Sequence, residues 1–335
     1  MDPKALIERV PKVELHVHIE GTLEPDQLIR FARRNSVPLR YPTVQALRDA
    51  YRFTNLQSFL DLYYEGTAVL QQEIDFYEMT LAYLQRAAAQ GVAHTEIFFD
   101  PQCHTERGVV FGTVIGGITR ALDEAEERFG VTSELIMCFL RHLDESSAFE
   151  SLRQAEPYLH RIVAVGLDSS EKGYPPAAFA RVYAAARSMG LEAVAHAGEE
   201  GPPEYVRQAL DMLRVSRIDH GVRAAEEPAL VARLVEEGVP LTVCPLSNVR
   251  LGVFQNMWAH TFKRLFDAGV KVTVNSDDPA YFGGYIAENF AAVQETFSLD
   301  TEQLQTLALN AVQASFLNQD RKRQLEKQVR ASTED

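Results

Sequence analysis

Two histidines separated by one residue, His16 and His18, end a short apolar segment near the N-terminus. The segment reads VELHVH over residues 13–18, and its alternation predicts a strand. Side chains two residues apart on a strand point to the same face, so the two imidazoles lie side by side. This pair is typical of one half of a metal site, although two surface histidines without a role would give the same pattern.

Polar residues also end or follow three later apolar segments. His196 is the second-to-last residue of EAVAHA, His220 ends RIDH, and Asp277 and Asp278 directly follow KVTVNS. Three neutral imidazoles and one carboxylate, with an open position for water, suit a catalytic zinc ion. We therefore predict one divalent metal ion, Zn²⁺, held by His16, His18, His196 and Asp277.

A closed, cysteine-rich structural zinc site is excluded. The three cysteines, Cys103, Cys138 and Cys244, are scattered, so a closed structural zinc site cannot form from them. The signature H-x-E with P-C-x-x-C of one class of zinc deaminase is also absent, because Cys244 precedes its proline and has no partner three residues on. Any deamination by this chain needs a different scaffold.

Glu199 lies three residues after His196, in HAGEEGPPEY. A carboxyl group beside a metal site acts as a general acid where burial raises its pKa. A glutamate that interacts with a helix dipole would occupy the same position. Glu200 and Glu204 fit this second interpretation better than Glu199 does.

The elements that must position these residues are short apolar strands separated by amphipathic helical segments. Predicted strands lie at 13–18, 92–99, 134–140, 162–167, 192–197, 216–220, 240–244 and 271–276. Helical periodicity covers 113–129, 176–189, 203–213, 227–237 and 257–268. Eight strands in repeated βα order predict an α/β fold of the (β/α)8 TIM-barrel type, in which the C-terminal strand ends meet on one face. A doubly wound open sheet is the alternative.

One connection is much longer than a single helix needs. Residues 19–91 separate the first two strands and include LQSFLDLYYEG at 56–66, with aromatic and apolar residues at helical spacing. These extra helices either pack around the barrel or form a lid over its mouth. We expect one catalytic domain over residues 1–335, with a polar C-terminal tail from about 318 that frays.

Composition excludes several classes of protein. The 335 residues are 46% hydrophobic and 24% charged, as in ordinary globular proteins, and the net charge of −14 argues against nucleic acid or an anionic membrane as a partner. No apolar run reaches the length of a signal peptide core or a membrane span. Three unpaired cysteines indicate a reducing compartment, so we expect a cytoplasmic protein.

Five motifs occur in the order LHVHIEGTLEP, HAGEEGPPEY, RIDHGVRA, CPLSN and VNSDDPAYFGG. Together they resemble the adenosine and adenine deaminase family of metal-dependent hydrolases, over nearly the whole chain. The resemblance implies a zinc-bearing (β/α)8 barrel that hydrolyses the 6-amino group of a purine, in purine salvage or catabolism.

The resemblance also implies roles for single residues. Glu199 matches the glutamate that protonates the purine ring nitrogen beside the reacting carbon. His220 matches the histidine that orients the attacking water and helps to deprotonate it. Asp278 matches the aspartate that forms a hydrogen bond with the imidazole nitrogen of the purine.

Two departures from the nucleoside-type pattern favour the free base. Glu20 stands where nucleoside deaminases carry an aspartate close to the ribose, and its longer side chain would fill the ribose space. Ser169 and Ser170 follow strand four where those enzymes have a glycine-containing turn, and we predict that Ser170 contacts the substrate. We therefore expect adenine to be converted to hypoxanthine and ammonia, with adenosine and an N6-substituted purine as alternatives.

Two other classes remain open. A non-catalytic purine-binding protein would have lost a ligand or the acid, and all the matched positions are present. A two-metal hydrolase would use a modified lysine from strand four, but the first lysine there, Lys172, lies in the following loop. Arg141 and His142 follow strand three without an assigned role.

Overall fold

The computed structural model of the protein describes residues 2–333. Over this range eight parallel strands form a sheet in chain order. They are β1 (Lys12–His18), β2 (Val92–Phe99), β3 (Thr132–Leu140), β4 (Ile162–Asp168), β5 (Glu192–Ala197), β6 (Arg217–His220), β7 (Leu241–Val243) and β8 (Val272–Val274).

The sheet closes on itself between its first and last strands. Asp277, just after β8, pairs with Val17 of β1, where the Asp277 amide donates to the His16 carbonyl and the His18 amide donates to the Asp277 carbonyl. Closure removes the free sheet edges. The predicted (β/α)8 barrel is therefore confirmed, and the open sheet is excluded.

The observed strands differ from the predicted ones by at most two residues at either end. The end of β8 shows why such bounds shift. The Asn275 side chain accepts the Leu15 amide at 2.9 Å, and the Glu14 carboxylate accepts the Ser276 amide at 3.1 Å. On the side of β1, side chains thus take the place of backbone partners at residues 275 and 276, and the strand ends two residues before the predicted bound.

Helices alternate with the strands and cover the outside of the barrel. They are α1 (Pro3–Arg9), α2 (Pro25–Asn35), α3 (Val44–Ala50), α4 (Leu56–Thr67), α5 (Glu73–Ala89), α6 (Pro101–Thr105), α7 (Phe111–Phe129), α8 (Glu145–Ala155), α9 (Ala180–Ser188), α10 (Pro203–Gln208), α11 (Pro228–Glu237), α12 (Pro245–Arg250), α13 (Phe262–Asp267), α14 (Pro279–Phe282), α15 (Ile286–Phe297), α16 (Thr301–Ala314) and α17 (Gln319–Ala331). Within residues 2–333, no helix is both long and apolar enough to cross a membrane.

The connection between β1 and β2 contains the four helices α2 to α5, as the sequence predicts. The helix α4 begins after Asn55, whose side chain accepts the Ser58 amide at 2.9 Å and so caps the first turn. Phe59 and Tyr63 on this helix are buried. They reach the C-terminal end of the barrel, where the polar residues lie.

The C-terminal segment does not fray as expected. Residues 319–331 form α17, and Leu325 and Val329 of this helix are fully buried against the core. The prediction of fraying rested on the many charged residues of this segment. It did not take into account that Leu325 and Val329, four residues apart, form an apolar stripe that a helix can bury against the core. Residues 334–335 of the predicted tail lie outside the described residues.

Candidate active site

The carboxyl ends of the strands bring the four predicted metal ligands together. His16 and His18 lie at the end of β1, His196 lies in β5, and Asp277 follows β8. One donor atom of each residue lies within 4.8 Å of the donor atoms of the others, and all four residues are buried. The barrel thus assembles one compact donor set from three separate segments of the chain.

The contacts inside this set fit a shared cation. The Nε2 atoms of His18 and His196 are 3.1 Å apart, and Asp277 Oδ1 lies 3.0 Å from His16 Nε2 and 3.4 Å from His18 Nε2. His16 Nε2 is buried without a hydrogen-bond partner among the described residues. Three imidazole nitrogens and a carboxylate oxygen that converge in a buried space are a donor set for a divalent metal ion.

The other ring nitrogens of the three histidines face polar groups. His18 Nδ1 lies 3.5 Å from Asp168 Oδ2, and His196 Nδ1 lies 3.7 Å from Asp219 Oδ2. His16 Nδ1 lies 2.9 Å from the Thr242 hydroxyl, which in turn donates to Asp219 Oδ1 at 2.8 Å. The Thr242 hydroxyl keeps the proton of His16 on Nδ1 and leaves its Nε2 free to bind a metal. The contacts of His18 and His196 are too long for hydrogen bonds, but they place a carboxylate beside each Nδ1 atom.

Asp168 and Asp219 were missed by the sequence analysis. Each is a carboxylate inside or at the end of an apolar strand, and such a residue requires a buried partner. That signal was present, but the sequence does not show that the partner is a histidine from another strand.

The replacement Asp219→Asn is expected to lower metal affinity by about 10- to 100-fold, since residues that orient metal-binding histidines have effects of this size. Titration of the metal-free protein with zinc, followed by metal analysis, measures the change. Asp211→Asn, an exposed aspartate ion-paired with Arg233, is the control and should bind metal like the parent. Unchanged affinity in Asp219→Asn would contradict the role of the carboxylate.

Two of the residues at the strand ends have an unusual backbone conformation. His220 and Asp277 adopt φ angles of 61° and 65°, in the left-handed region that residues other than glycine seldom occupy. Conformations of this kind persist only where the surrounding structure enforces them, and they concentrate at functional sites. Here the two turns, after β6 and after β8, direct the side chains of His220 and Asp277 toward the same point above the barrel.

Glu199 and His220 meet beside the metal-ligand set. His220 Nε2 lies 3.6 Å from Glu199 Oε1 and 3.7 Å from Asp277 Oδ2. Burial raises the pKa of the Glu199 carboxyl well above its usual range, and the neighbouring charges of Asp277 and Glu171 add to this effect. The raised pKa favours the protonated form of Glu199, which has a proton to donate.

The loop that carries Glu199 is held by one buried carboxylate. Glu171 Oε1 accepts the amide of Gly198 at 2.6 Å, and Oε2 accepts the amides of Glu199, Glu200 and Gly201 at 3.1, 2.7 and 2.6 Å. Four hydrogen bonds to one charged group fix the backbone after β5. Glu171 lies in the loop after β4, and the sequence analysis gave it no role.

A small cavity of about 30 Å³ lies next to these groups. Its polar side includes Glu199 and Asp278, and its apolar side is formed by Leu56, Phe59 and Leu60 of α4. This helix therefore covers the mouth of the barrel as well as packing against it, so both interpretations of the segment 56–66 apply.

Asp278, which the family resemblance assigns to purine binding, lines the cavity. Burial raises the pKa of its carboxyl well above the usual range, with the charge of Asp277 as the next cause. A Cβ atom on Gly21 would lie 2.0 Å from Asp278 Oδ1, so only glycine leaves room for this side chain. Gly21, the glycine of the motif HIEG, thus leaves room for the side chain of a residue more than 250 positions away in the chain.

Two predicted substrate-binding residues do not line the cavity. Glu20 is fully buried, and its Oε1 accepts the Asp100 amide at 3.2 Å and lies 2.9 Å from His104 Nε2. Ser170 donates a hydrogen bond to Gln57 of α4 at 2.7 Å. The cavity is lined instead by their neighbours Asp100 and Ser169.

Ser169 adopts a φ of 76°, which turns its side chain into the cavity wall, where its hydroxyl oxygen accepts from Tyr64 at 2.7 Å. His142 Nδ1 lies 2.7 Å from the same oxygen. Arg141 donates to the His196 carbonyl at 2.7 Å and so orders the backbone of a metal-ligand candidate. The two residues that the sequence left unassigned therefore hold the wall of the site.

Comparison with known proteins agrees with this geometry. The sequence profile of the adenosine deaminase family matches residues 11–332. The chain belongs to the adenosine deaminase family. The resemblance drawn from the five motifs is thereby confirmed.

Within the adenosine deaminase family the similar relatives are named adenine deaminase. The adenine deaminase of Hahella chejuensis is 57% identical over 319 residues, which cover 95% of this chain and 96% of that protein. The adenine deaminase of Rhodospirillum rubrum is 56% identical over 331 residues, which cover 99% of each chain.

Solved structures of similar proteins have the same fold. The crystal structure of adenine deaminase from Arthrobacter aurescens superposes with a TM-score of 0.96 at 49% identity, covering 97% of this chain and 100% of that one. An amidohydrolase from Burkholderia ambifaria, solved with bound zinc, superposes with a TM-score of 0.89 at 26% identity, covering 99% of this chain and 95% of that one. The fold and the adenine branch predicted from the sequence agree with these relatives.

Proposed function

We propose that this protein is an adenine deaminase that hydrolyses adenine to hypoxanthine and ammonia. The observation that carries the proposal is the buried cluster at the barrel mouth. There a metal-ligand set, a glutamate with a raised pKa and a histidine face one small cavity, in a chain 57% identical to a named adenine deaminase.

The proposed cofactor is one zinc ion, which His16, His18, His196 and Asp277 would hold. Three neutral imidazoles and one carboxylate form a typical catalytic zinc set, and burial lowers the pKa of both His18 and His196, which favours their neutral, metal-binding form. When bound, zinc lowers the pKa of a coordinated water to about 7 and so supplies a nucleophile at neutral pH.

Glu199 would supply the proton that activates the ring. A protonated carboxyl that faces the reacting edge of adenine donates to the ring nitrogen and makes the adjacent carbon electrophilic. His220 would orient the water that attacks this carbon. The proton that remains on the added oxygen passes to the amino group, which leaves as ammonia, and the oxygen stays on the ring as a carbonyl.

Asp278 would hold the imidazole side of the purine. Its raised pKa favours the protonated carboxyl, which would donate a hydrogen bond to an unprotonated ring nitrogen. A buried donor that must find an acceptor selects for purines, since a ligand without that nitrogen would leave the donor unpaired.

The first experiment compares ammonia release from adenine and adenosine by the zinc-loaded protein. We expect kcat/KM for adenine to exceed that for adenosine by about 10²-fold or more, because the cavity beside the reacting groups is small and accommodates the base more readily than the larger nucleoside. Preference for adenosine would overturn the proposed substrate. Zinc binding without turnover of any 6-aminopurine would overturn the proposed activity.

The ribose-excluding role predicted for Glu20 is tested by Glu20→Asp. Since its carboxylate oxygen is engaged by the Asp100 amide and His104, the shorter side chain should disturb the wall of the cavity and lower both activities by a similar factor. The ratio of kcat/KM for adenosine to that for adenine is the measured quantity. A rise in this ratio would instead favour direct exclusion of the ribose by Glu20.

Two further expectations from the sequence stay predictions. Cytoplasmic location rests on the unpaired cysteines, and a single catalytic domain over residues 1–335 rests on the continuous βα order.

A further inference from the structure

A chain of buried side chains connects His220 to His260, which lies outside the cavity. The Asn248 Nδ2 group lies 3.2 Å from His220 Nδ1, and Asn248 Oδ1 lies 3.1 Å from His260 Nε2. At the far end the Phe262 amide donates to His260 Nδ1 at 2.9 Å. The chemistry proposed above uses neither Asn248 nor His260.

A backbone amide fixes the direction of every hydrogen bond in this chain. The Phe262 N–H can only donate, so His260 Nδ1 must be the acceptor and the proton of the neutral ring must lie on Nε2. His260 Nε2–H then donates to Asn248, which presents its oxygen there and its NH₂ group to His220. His220 Nδ1 is therefore an acceptor.

We infer that His260, acting through Asn248, is a positioning residue that holds His220 in the tautomer protonated on Nε2. His220 then donates a hydrogen bond from Nε2 to the attacking water, at the point that it shares with Glu199 and Asp277. The inference rests on the proposed function for the identity of the water, and on the hydrogen bonds alone for the tautomer.

This tautomer changes the role of His220 from the one that the family resemblance implies. With Nδ1 accepting from Asn248 and Nε2 donating to the water, neither ring nitrogen has a free lone pair for a proton. The proton released from the water's O–H bond goes to the Glu199 carboxylate, which is free once it has protonated the ring. His220 orients the oxygen but does not deprotonate it.

The surroundings of His260 keep it neutral and fixed. The residue is buried, and burial lowers the pKa of its imidazole to about 3. Phe254 packs against it with ring centroids 4.3 Å apart. A neutral ring in one orientation is what the chain of donors and acceptors requires.

The tautomer can be measured without substrate. Histidine labelled with ¹⁵N is incorporated into the zinc-loaded protein, the His220 signals are assigned with the variant His220→Gln, and the ¹⁵N shifts distinguish Nδ1–H from Nε2–H. We expect Nε2–H. A proton on Nδ1 of His220 would overturn the inference, and this result does not depend on whether adenine is the substrate.

The variant Asn248→Asp reverses the chain. Its carboxylate is an acceptor on both sides, so it favours a proton on His220 Nδ1. We expect the tautomer signal to switch and kcat for adenine to fall by about 10²- to 10⁴-fold, as when a catalytic histidine is held in the wrong tautomer. We also expect KM and zinc content close to those of the parent. Parent kcat together with a switched tautomer would overturn the inference.

A matched pair at position 260 decides the question even if Asn248→Asp does not fold. His260→Gln retains an acceptor for the Phe262 amide and a donor for Asn248, and we expect kcat within about threefold of the parent. His260→Leu removes both, and we expect kcat to fall by about tenfold or more at unchanged zinc content. Equal kcat in the two variants, or a mixed tautomer signal in His260→Gln, would overturn the inference.

Discussion

Glu199→Gln is expected to lower kcat for adenine by about 10²- to 10⁴-fold, the usual range for the loss of a general acid. Glutamine retains the size and the hydrogen-bonding capacity of the side chain but has no proton to transfer at neutral pH. The raised pKa of Glu199 is the reason for expecting a large effect, since it favours the acid form of this carboxyl.

The measurement is steady-state ammonia release by variants with verified zinc content. Glu204→Gln is a suitable control, because this glutamate lies in the first turn of α10, is exposed and does not line the cavity. We expect its kcat within about threefold of the parent value. If Glu199→Gln turned over adenine at the parent rate with one zinc per chain, Glu199 would not be the proton donor.

Asp277→Asn is expected to lower metal affinity by more than the 10- to 100-fold that is typical of residues around a metal site, and activity should be lost with the metal. Asp277 contributes the only carboxylate of the donor set, and the Ser247 hydroxyl donates to its Oδ2 at 2.5 Å. Burial alone would raise the pKa of the Asp277 carboxyl. The imidazoles of His16 and His220 nevertheless hold this pKa well below its usual range.

Asp278→Asn separates metal binding from substrate binding. Asp278 is the next residue and faces the same cavity, but it is outside the donor set. We expect this variant to keep its zinc while its kcat/KM for adenine falls. Metal analysis after dialysis, with zinc titration of both variants, distinguishes the two roles. Full zinc content in Asp277→Asn would contradict its assignment as a ligand.

The sequence by itself determined which residue types meet at the barrel mouth. His16, His18 and His196 lie within the last three residues of apolar strands, and Asp277 follows one, so the (β/α)8 order alone requires that they converge. Alternation along a strand is a local property with a fixed period, which is why these positions could be predicted without contacts. The same holds for Glu199, whose place in the loop after β5 follows from its distance to His196.

Only the tertiary structure decided which residues support that set. Asp168, Asp219 and Glu171 have partners on other strands or loops, and no local pattern encodes the pairing of side chains so distant in the chain. A turn with positive φ placed Ser169 rather than Ser170 in the cavity wall, and a change of one residue there exchanges which side chain points inward.

Two more features could not be predicted from the sequence. They are the covering of the barrel mouth by α4 and the direction of the hydrogen bonds from His260 through Asn248 to His220. Both depend on where helices dock against the barrel, and docking is set by packing over the whole core rather than by the sequence of either segment. The chain thus specifies its chemistry locally, through residue types at strand ends, and specifies the orientation and protonation of those residues only through the closed barrel.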